Sequence, residues 1–240
     1  MNILKYILTT VLLLVTHTIF AATITVTNNG NSNAGSLRQA IFDATAGDTI
    51  NFAADYIITL NNELVIDKDL TIDGGKNNIA ISGNNSVRIF NIFMGTVNLN
   101  YLTIKKGKVF DDGGGIVNGG NLTIKNSTIL NNSAMMNGGG IYSMGMLQII
   151  DSTFANNSAS NFGGGLYDMS SSAAISNSTF SGNIASSAGG IYAMTSFPLM
   201  NTIIANSTGS DCFGISSGDN FNTLIEDGSC DPTISDDPKL

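Results

Sequence analysis

The sequence predicts an all-β protein, a single-stranded right-handed parallel β-helix with about seven to eight turns of about 25 residues and a short N-terminal capping helix. Three observations predict this solenoid. A glycine motif recurs at a constant interval, and apolar positions recur at the same interval. The composition also favours short strands and tight corners, since the 240 residues include 27 glycines but only 12% charged side chains, against roughly 25% in a typical soluble protein.

The glycine motif marks each turn of the repeat. It is Gly-Gly-Gly-Ile at residues 113–116 and 138–141, Gly-Gly-Gly-Leu at 163–166 and Ala-Gly-Gly-Ile at 188–191, with a step of about 25 residues each time. Glycine tolerates positive φ and lets another backbone come close. We therefore expect each motif to form a tight corner, or to lie against the backbone of a neighbouring turn.

The apolar positions keep the same register between these motifs. The segment LTIKNSTILNNSA (122–134) matches LQIIDSTFANNSA (147–159) and, after a shift of one residue, AAISNSTFSGNIA (173–185). Apolar and polar residues alternate, which is the period of a β-strand. One such unit cannot bury its own apolar face, whereas turns stacked about 4.8 Å apart align each column on itself and form a continuous core.

One column of asparagines accompanies the apolar columns. Asn132, Asn157 and Asn183 each follow an inward Ile or Phe by three residues. A side-chain amide at such a corner can donate to one neighbouring turn and accept from another. We therefore predict a structural asparagine ladder without a catalytic role.

The chain divides into three predicted parts. Residues 1–21 resemble a secretory signal peptide, because a basic start precedes an apolar run that is too short to span a membrane. Residues 22–47 hold an N-terminal strand and the capping helix, for which Ser36 and Gln39 have the spacing of a capping box. Residues 48–240 form the β-helix, whose turns extend to about residue 235.

Export bears on the two cysteines and on the available chemistry. Cys212 and Cys230 would meet an oxidising compartment, which favours a disulfide that closes the C-terminal turn over two free thiols. The single histidine, His17, lies inside the predicted signal peptide, so catalysis by histidine and metal binding by histidine are both excluded from the mature chain. We predict no catalytic residues, no metal and no cofactor.

The net charge of −8 argues against nucleic acid and anionic membranes as partners. We expect a monomer that is secreted, periplasmic or attached to the cell surface, without a transmembrane segment in the mature chain.

The motifs resemble those of known bacterial proteins. The segment TVTNNGNSNAGSLRQAIFDATAGDTINF (25–52) and the GGGIY and STFxxNxA repeats are similar to secreted or surface right-handed β-helix proteins of the choice-of-anchor Q type. The F-x-x-N and G-G-[AG]-I elements also resemble the repeat of chlamydial polymorphic outer membrane proteins. The resemblance covers essentially the whole mature chain and implies the β-helix fold and a surface or secreted location.

A column of tyrosines and a column of methionines predict a binding surface. We therefore expect an adhesin-like, non-enzymatic module with a protein or glycan partner. By strand alternation they should face outward together, and Tyr and Met are common at interfaces. Cross-strand stacking that only stabilises the sheet is the alternative explanation. The candidate residues are Tyr142, Tyr167, Tyr192, Met144, Met169 and Met194.

Two other functions remain open from the sequence. One is a polysaccharide lyase or glycoside hydrolase, by analogy with enzymes that use this fold. The acids and lysines available to such an enzyme are Asp111, Asp112, Asp151, Asp168, Lys105, Lys106 and Lys108. The other is a structural or assembly role, in which the open C-terminal end of the solenoid pairs with another chain.

Overall fold

Parallel pairing between strands of successive turns builds the whole fold. A computed structural model describes residues 21–238 and shows an all-β parallel solenoid of about eight turns. Hydrogen bonds join residues that are 25 or 26 positions apart in successive central turns. The fold class is confirmed. The predicted signal peptide falls, except for its last residue, outside the described residues.

The secondary structure consists of short strands, one α-helix and one 3-10 helix within the described range. The α-helix α1 spans Leu37–Asp43 and the 3-10 helix spans Ser217–Asp219. The strands are β1 (Thr23–Val26), β2 (Asp48–Phe52), β3 (Tyr56–Thr59), β4 (Leu64–Ile66), β5 (Leu70–Asp73), β6 (Ile79–Ser82), β7 (Phe90–Ile92), β8 (Thr96–Asn100), β9 (Leu102–Lys105), β10 (Lys108–Val109), β11 (Ile116–Asn118), β12 (Asn121–Lys125), β13 (Thr128–Leu130), β14 (Ser133–Ala134), β15 (Ile141–Ser143), β16 (Leu147–Ile150), β17 (Thr153–Ala155), β18 (Ser158–Ala159), β19 (Leu166–Asp168), β20 (Ala173–Ser176), β21 (Thr179–Ser181), β22 (Ile191–Ala193), β23 (Leu199–Met200), β24 (Ile203–Ala205), β25 (Cys212–Phe213), β26 (Asn220–Phe221) and β27 (Leu224–Ile225).

Four sheets run along the solenoid. Sheet A has the order β1-β2-β5-β8-β12-β16-β20-β23-β26, and sheet B has the order β3-β6-β9-β13-β17-β21-β24-β27. Sheet C has the order β4-β7-β11-β15-β19-β22-β25, and the small sheet D has the order β10-β14-β18. A central turn therefore passes through A, B, D and C before it returns to A.

The core is formed by the inward columns that the repeat predicts. Ile149 pairs in register with Ile124 and Ile175, and all three side chains are fully buried. Phe154 and Phe180 stack inside sheet B with their ring centroids 4.5 Å apart. The shift of one residue in the longer turn is also present, since Leu147 pairs with Ala173. Each such buried side chain stabilises the fold by about 1.5–3 kcal/mol relative to exposure.

The glycine motif uses both properties that its sequence suggests. Its first residue turns the corner with positive φ, for example 64° at Gly138. A Cβ atom on the second residue, Gly139, would lie 2.4 Å from the carbonyl oxygen of Ser158. The motif therefore both bends the chain and admits the backbone of the next turn, which explains why it recurs on four successive rungs.

Two hydrogen-bonded ladders run through the solenoid. The predicted asparagine column forms one of them: Asn132 Nδ2 donates to Asn157 Oδ1, and Asn157 Nδ2 donates to Asn183 Oδ1, each at 3.0 Å. The second ladder was not predicted. The backbone N–H of one buried serine donates to the hydroxyl oxygen of the next, at 3.2 Å from Ser127 to Ser152 and again from Ser152 to Ser178.

The N-terminal end is covered by α1, whose residues Leu37, Ala40 and Ile41 are buried. The Ser36 hydroxyl oxygen caps the helix by accepting from the backbone N–H of Gln39 at 3.2 Å. The expected capping box is incomplete, because the Gln39 side chain donates to Asp43 instead. Strand β1 pairs with β2, so parallel pairing begins ahead of residue 48, the predicted start of the β-helix.

The C-terminal end is closed by the Cys212–Cys230 pair, which has a disulfide geometry with a Cα–Cα distance of 5.8 Å. A β-bridge between Leu224 and Ile234 adds one more layer to sheet B. Within residues 21–238, no helix is both long and apolar enough to cross a bilayer.

Candidate functional site

An aromatic ladder runs along the outer face of sheet C. It consists of Tyr142, Tyr167, Tyr192 and Phe213, which pair in register on four successive rungs. The ring centroids are 5.3, 5.2 and 4.6 Å apart along the ladder, and the rings lie within 20° of parallel. Offset stacking of this kind adds about 0.5–1.5 kcal/mol per pair beyond the burial of area.

The alternation of inward and outward side chains along each strand puts the aromatic ladder on the outer face of sheet C. In β15, Ile141 points inward, Tyr142 outward and Ser143 inward, and the next outward residue is Met144. Phe213 was not predicted as a member, because the turn between it and Tyr192 is shorter than the other turns and breaks the interval of about 25 residues. A search for aromatic residues at that fixed interval misses it.

The sequence predicts an exposed stripe of tyrosines, but in the structure the three tyrosine side chains are buried or partly buried, which corrects that expectation. Tyr167 is only 9% exposed and its two neighbours are partly buried. Tyr142 and Tyr192 cover both faces of its ring, and Phe162 leans on the ladder with its centroid 4.8 Å from that of Tyr192. Burial raises the pKa of the Tyr142 and Tyr167 hydroxyls, and Asp112 and the next tyrosine of the ladder add smaller contributions. The ladder therefore presents ring edges and neutral hydroxyls, whereas its inner ring faces are covered.

The methionine column lies beside the ladder and is exposed as expected. Met144, Met169 and Met194 are 53%, 45% and 58% exposed. The backbone N–H of each donates to the turn before it, to the carbonyl oxygens of Asn118, Ser143 and Asp168. The Tyr142 hydroxyl donates to Met169 Sδ at 2.8 Å and so connects the column to the ladder.

A buried carboxyl lies beneath this surface. Asp168 is fully buried and shares an inward column with Asn118 and Ser143. Burial raises its pKa to about 6, although hydrogen bonds from Ser170 and Ser143 favour the ionised form. The Ser170 hydroxyl lies 3.0 Å from both carboxylate oxygens. The sequence did not predict this burial, because a carboxylate among polar neighbours is usually solvated.

Asp168→Asn should stabilise the protein above pH 6. A pKa that is raised in the folded state means that the fold favours the protonated acid. Stability is then highest below the unfolded pKa, falls as the pH rises from about 4 to 6, and stays lower above that range. At pH 7.5 the substitution should raise the free energy of unfolding by up to about 3 kcal/mol. An amide fits this column, since Asn118 occupies it two rungs earlier.

Denaturant unfolding at pH 4 and pH 7.5 measures the effect, and Asp151→Asn is the control. Asp151 is exposed and its carboxylate accepts a hydrogen bond from the Asn177 side chain, so its substitution changes the same charge without burial. An equal gain in both variants would show that net charge causes the effect, and not the burial of Asp168.

The acids considered for an enzyme lie in different parts of the solenoid. Asp111 forms an ion pair with Arg88 at 2.8 Å, and Asp112 Oδ1 accepts from the Asn137 amide at 2.9 Å. Both aspartates lie in the segment that leads into strand β11 of sheet C. Asp151 lies at the corner between sheets A and B, whereas Asp168 points into the interior. The arrangement therefore does not assemble Asp112, Asp151 and Asp168 into one site.

The lysines of that alternative cluster near the start of sheet D. Lys105 ends β9, Lys106 takes a corner with φ of 56°, and Lys108 begins β10. Lys106 and Lys108 are exposed. In the described chain, no group of three or more His, Cys, Asp and Glu residues is arranged to hold a metal ion.

Comparison with known families finds one match. Residues 126–144 and 151–168 match the family model described as the Chlamydia polymorphic membrane protein repeat. The two matched segments start at the corner residues Asn126 and Asp151 and run to the strands β15 and β19 of sheet C. They include Tyr142, Met144 and Tyr167. No curated protein matches the chain. The repeat is thus similar to that of a membrane-associated protein family, over a minority of the chain.

Proposed function

We propose that this protein is an exported, non-enzymatic surface module with adhesin-like binding through the outer face of sheet C. The aromatic ladder and the exposed methionine column carry the proposal. They form a continuous strip of Tyr, Phe and Met, which are residue types enriched at interfaces. The matched repeat supports a surface or outer-membrane association. The signal-peptide-like start of the chain supports export, and the resemblance of its motifs supports a protein of the choice-of-anchor Q type.

The geometry favours a protein partner over a glycan. A sugar stacks on an aromatic side chain through an open ring face, but stacking covers both faces of Tyr167 and Tyr192. The ladder instead offers a row of hydroxyls and ring edges about 5 Å apart, flanked by flexible thioethers. Such a strip matches an apolar protein surface with hydrogen-bonding groups, and methionine adapts to irregular partners.

Binding is tested with the chain from Ala22 onward against a panel of extracellular proteins and a glycan array. A ligand found on either should lose about tenfold or more in affinity with Tyr167→Ala, because truncation removes the centre of the ladder. Tyr101→Ala is the control, since Tyr101 is 47% exposed on another corner. Equal affinity in both variants, with both folded by circular dichroism, would place binding elsewhere.

The same samples test the enzymatic alternative. Each polysaccharide is incubated with the protein, and the release of reducing ends or unsaturated products is followed. Sustained product release would contradict a non-enzymatic module and direct attention to Asp111, Asp112 and the neighbouring lysines. If neither binding nor turnover is found, a structural role becomes the better explanation.

A further inference from the structure

Three methionine side chains line one groove at the corner between sheets C and A. Met144, Met146 and Met169 line the groove, and Met194 continues the column on the next rung. The rest of the wall is small or polar: Gly119, Gly120, Asn121, Gly145 and Ser170 to Ser172. No lysine or arginine lines it. The four methionine side chains are 45–58% exposed, so they are not part of the solenoid core.

The backbone fixes the spacing of the methionine column. Met144, Met169 and Met194 hydrogen-bond to successive rungs in the same way, through donor–acceptor distances of 2.8 to 2.9 Å. Adjacent rungs are about 4.8 Å apart, and methionine has three rotatable side-chain bonds. Sulfur atoms from neighbouring rungs can therefore approach a single ion without movement of the backbone.

Thioether sulfur is a soft ligand that selects Cu(I) and similar cations over hard ions such as Mg²⁺ and Ca²⁺. The described residues contain no histidine, and both cysteines are in the disulfide. Soft metal binding on this part of the chain therefore falls to methionine. The Tyr142 hydroxyl already donates to Met169 Sδ, which holds that sulfur at the groove and leaves it a second lone pair.

We propose that this methionine groove binds one soft monovalent cation, Cu(I), through the thioethers of Met144, Met146 and Met169. Binding is a simple coordination step without electron transfer. It uses Met144 and Met169 of the strip proposed above for partner binding, but it does not require a partner. Export makes such a site accessible to metal outside the cytoplasm.

The test uses Ag(I), which has the same charge and ligand preference as Cu(I) and does not cycle between oxidation states. The chain from Ala22 onward, labelled with ¹³C at the methionine methyl groups, is titrated with silver nitrate in chloride-free buffer. The methyl signals of Met144, Met146 and Met169 should shift together and saturate at one equivalent. Calorimetry gives the affinity.

Met169→Leu and Met144→Leu should each weaken Ag(I) binding by about tenfold or more, since even partners that only support a metal ligand contribute about 10- to 100-fold. Met200→Leu is the matched control, because Met200 is 42% exposed on sheet A, away from the groove. No saturable binding, or equal weakening in all three variants, would overturn the proposal. Partner binding measured without metal keeps the two proposals separate.

Discussion

Asn157→Leu should lower the free energy of unfolding by about 2–6 kcal/mol, because two buried backbone groups lose their partners at about 1–3 kcal/mol each. Asn157 Oδ1 accepts from the backbone N–H of Asn132 at 3.1 Å. Asn157 Nδ2 donates to the carbonyl oxygen of Ile129 at 2.9 Å. Leucine has a similar size, so the substitution removes these hydrogen bonds without opening a large cavity.

The loss of stability caused by Asn157→Leu should also affect the neighbouring turns of the solenoid. The neighbouring amides lie at 3.0 Å on both sides of Asn157, so its removal interrupts the ladder at its centre. Urea unfolding followed by circular dichroism measures the effect. Asn161→Leu is the control, because Asn161 lies in the same turn, is exposed and has an ordinary φ. Equal midpoints for the two variants would mean that the ladder contributes little to stability.

The sequence predicts the columns well because every turn repeats the same physical problem. An inward position must be apolar on each rung, so Ile124, Ile149 and Ile175 can be found by spacing alone. The asparagine ladder is predictable for the same reason, since a buried amide satisfies its neighbours only when the next turn carries another amide. Solenoid symmetry thus turns a weak local pattern into a strong repeated one.

Features that break the interval were harder to predict. Phe213 joins the aromatic ladder after a shortened turn, and the serine ladder is hidden because serine is common on surfaces as well as at buried corners. The covered faces of Tyr167 depend on the three-dimensional stacking distance and on Phe162, which lies outside the tyrosine column. Spacing identifies which residues share a column, but it does not show how far their side chains cover one another.

Ile141→Asp should unfold the protein or destabilise it by about 5 kcal/mol or more, since a fully buried acid raises its pKa by up to about 3–5 units and apolar burial is lost as well. Ile141 is completely buried and pairs with Ile116 and Leu166 inside sheet C. The total stability of a domain is only about 5–15 kcal/mol, so the folded state would be lost or barely retained at neutral pH.

The pH dependence separates a buried charge from a simple cavity. The introduced carboxyl has a raised pKa in the folded state, so its cost is smallest below the unfolded pKa of about 4 and grows as the pH rises to neutrality. The difference in melting temperature from the parent protein should therefore narrow between pH 7 and pH 4. Gln148→Asp places the same group on the exposed face of β16 and should change melting little at either pH. A melting curve for Ile141→Asp that matches the parent at pH 7 would mean that the inward column of sheet C is assigned incorrectly, and with it the outward direction of the aromatic ladder.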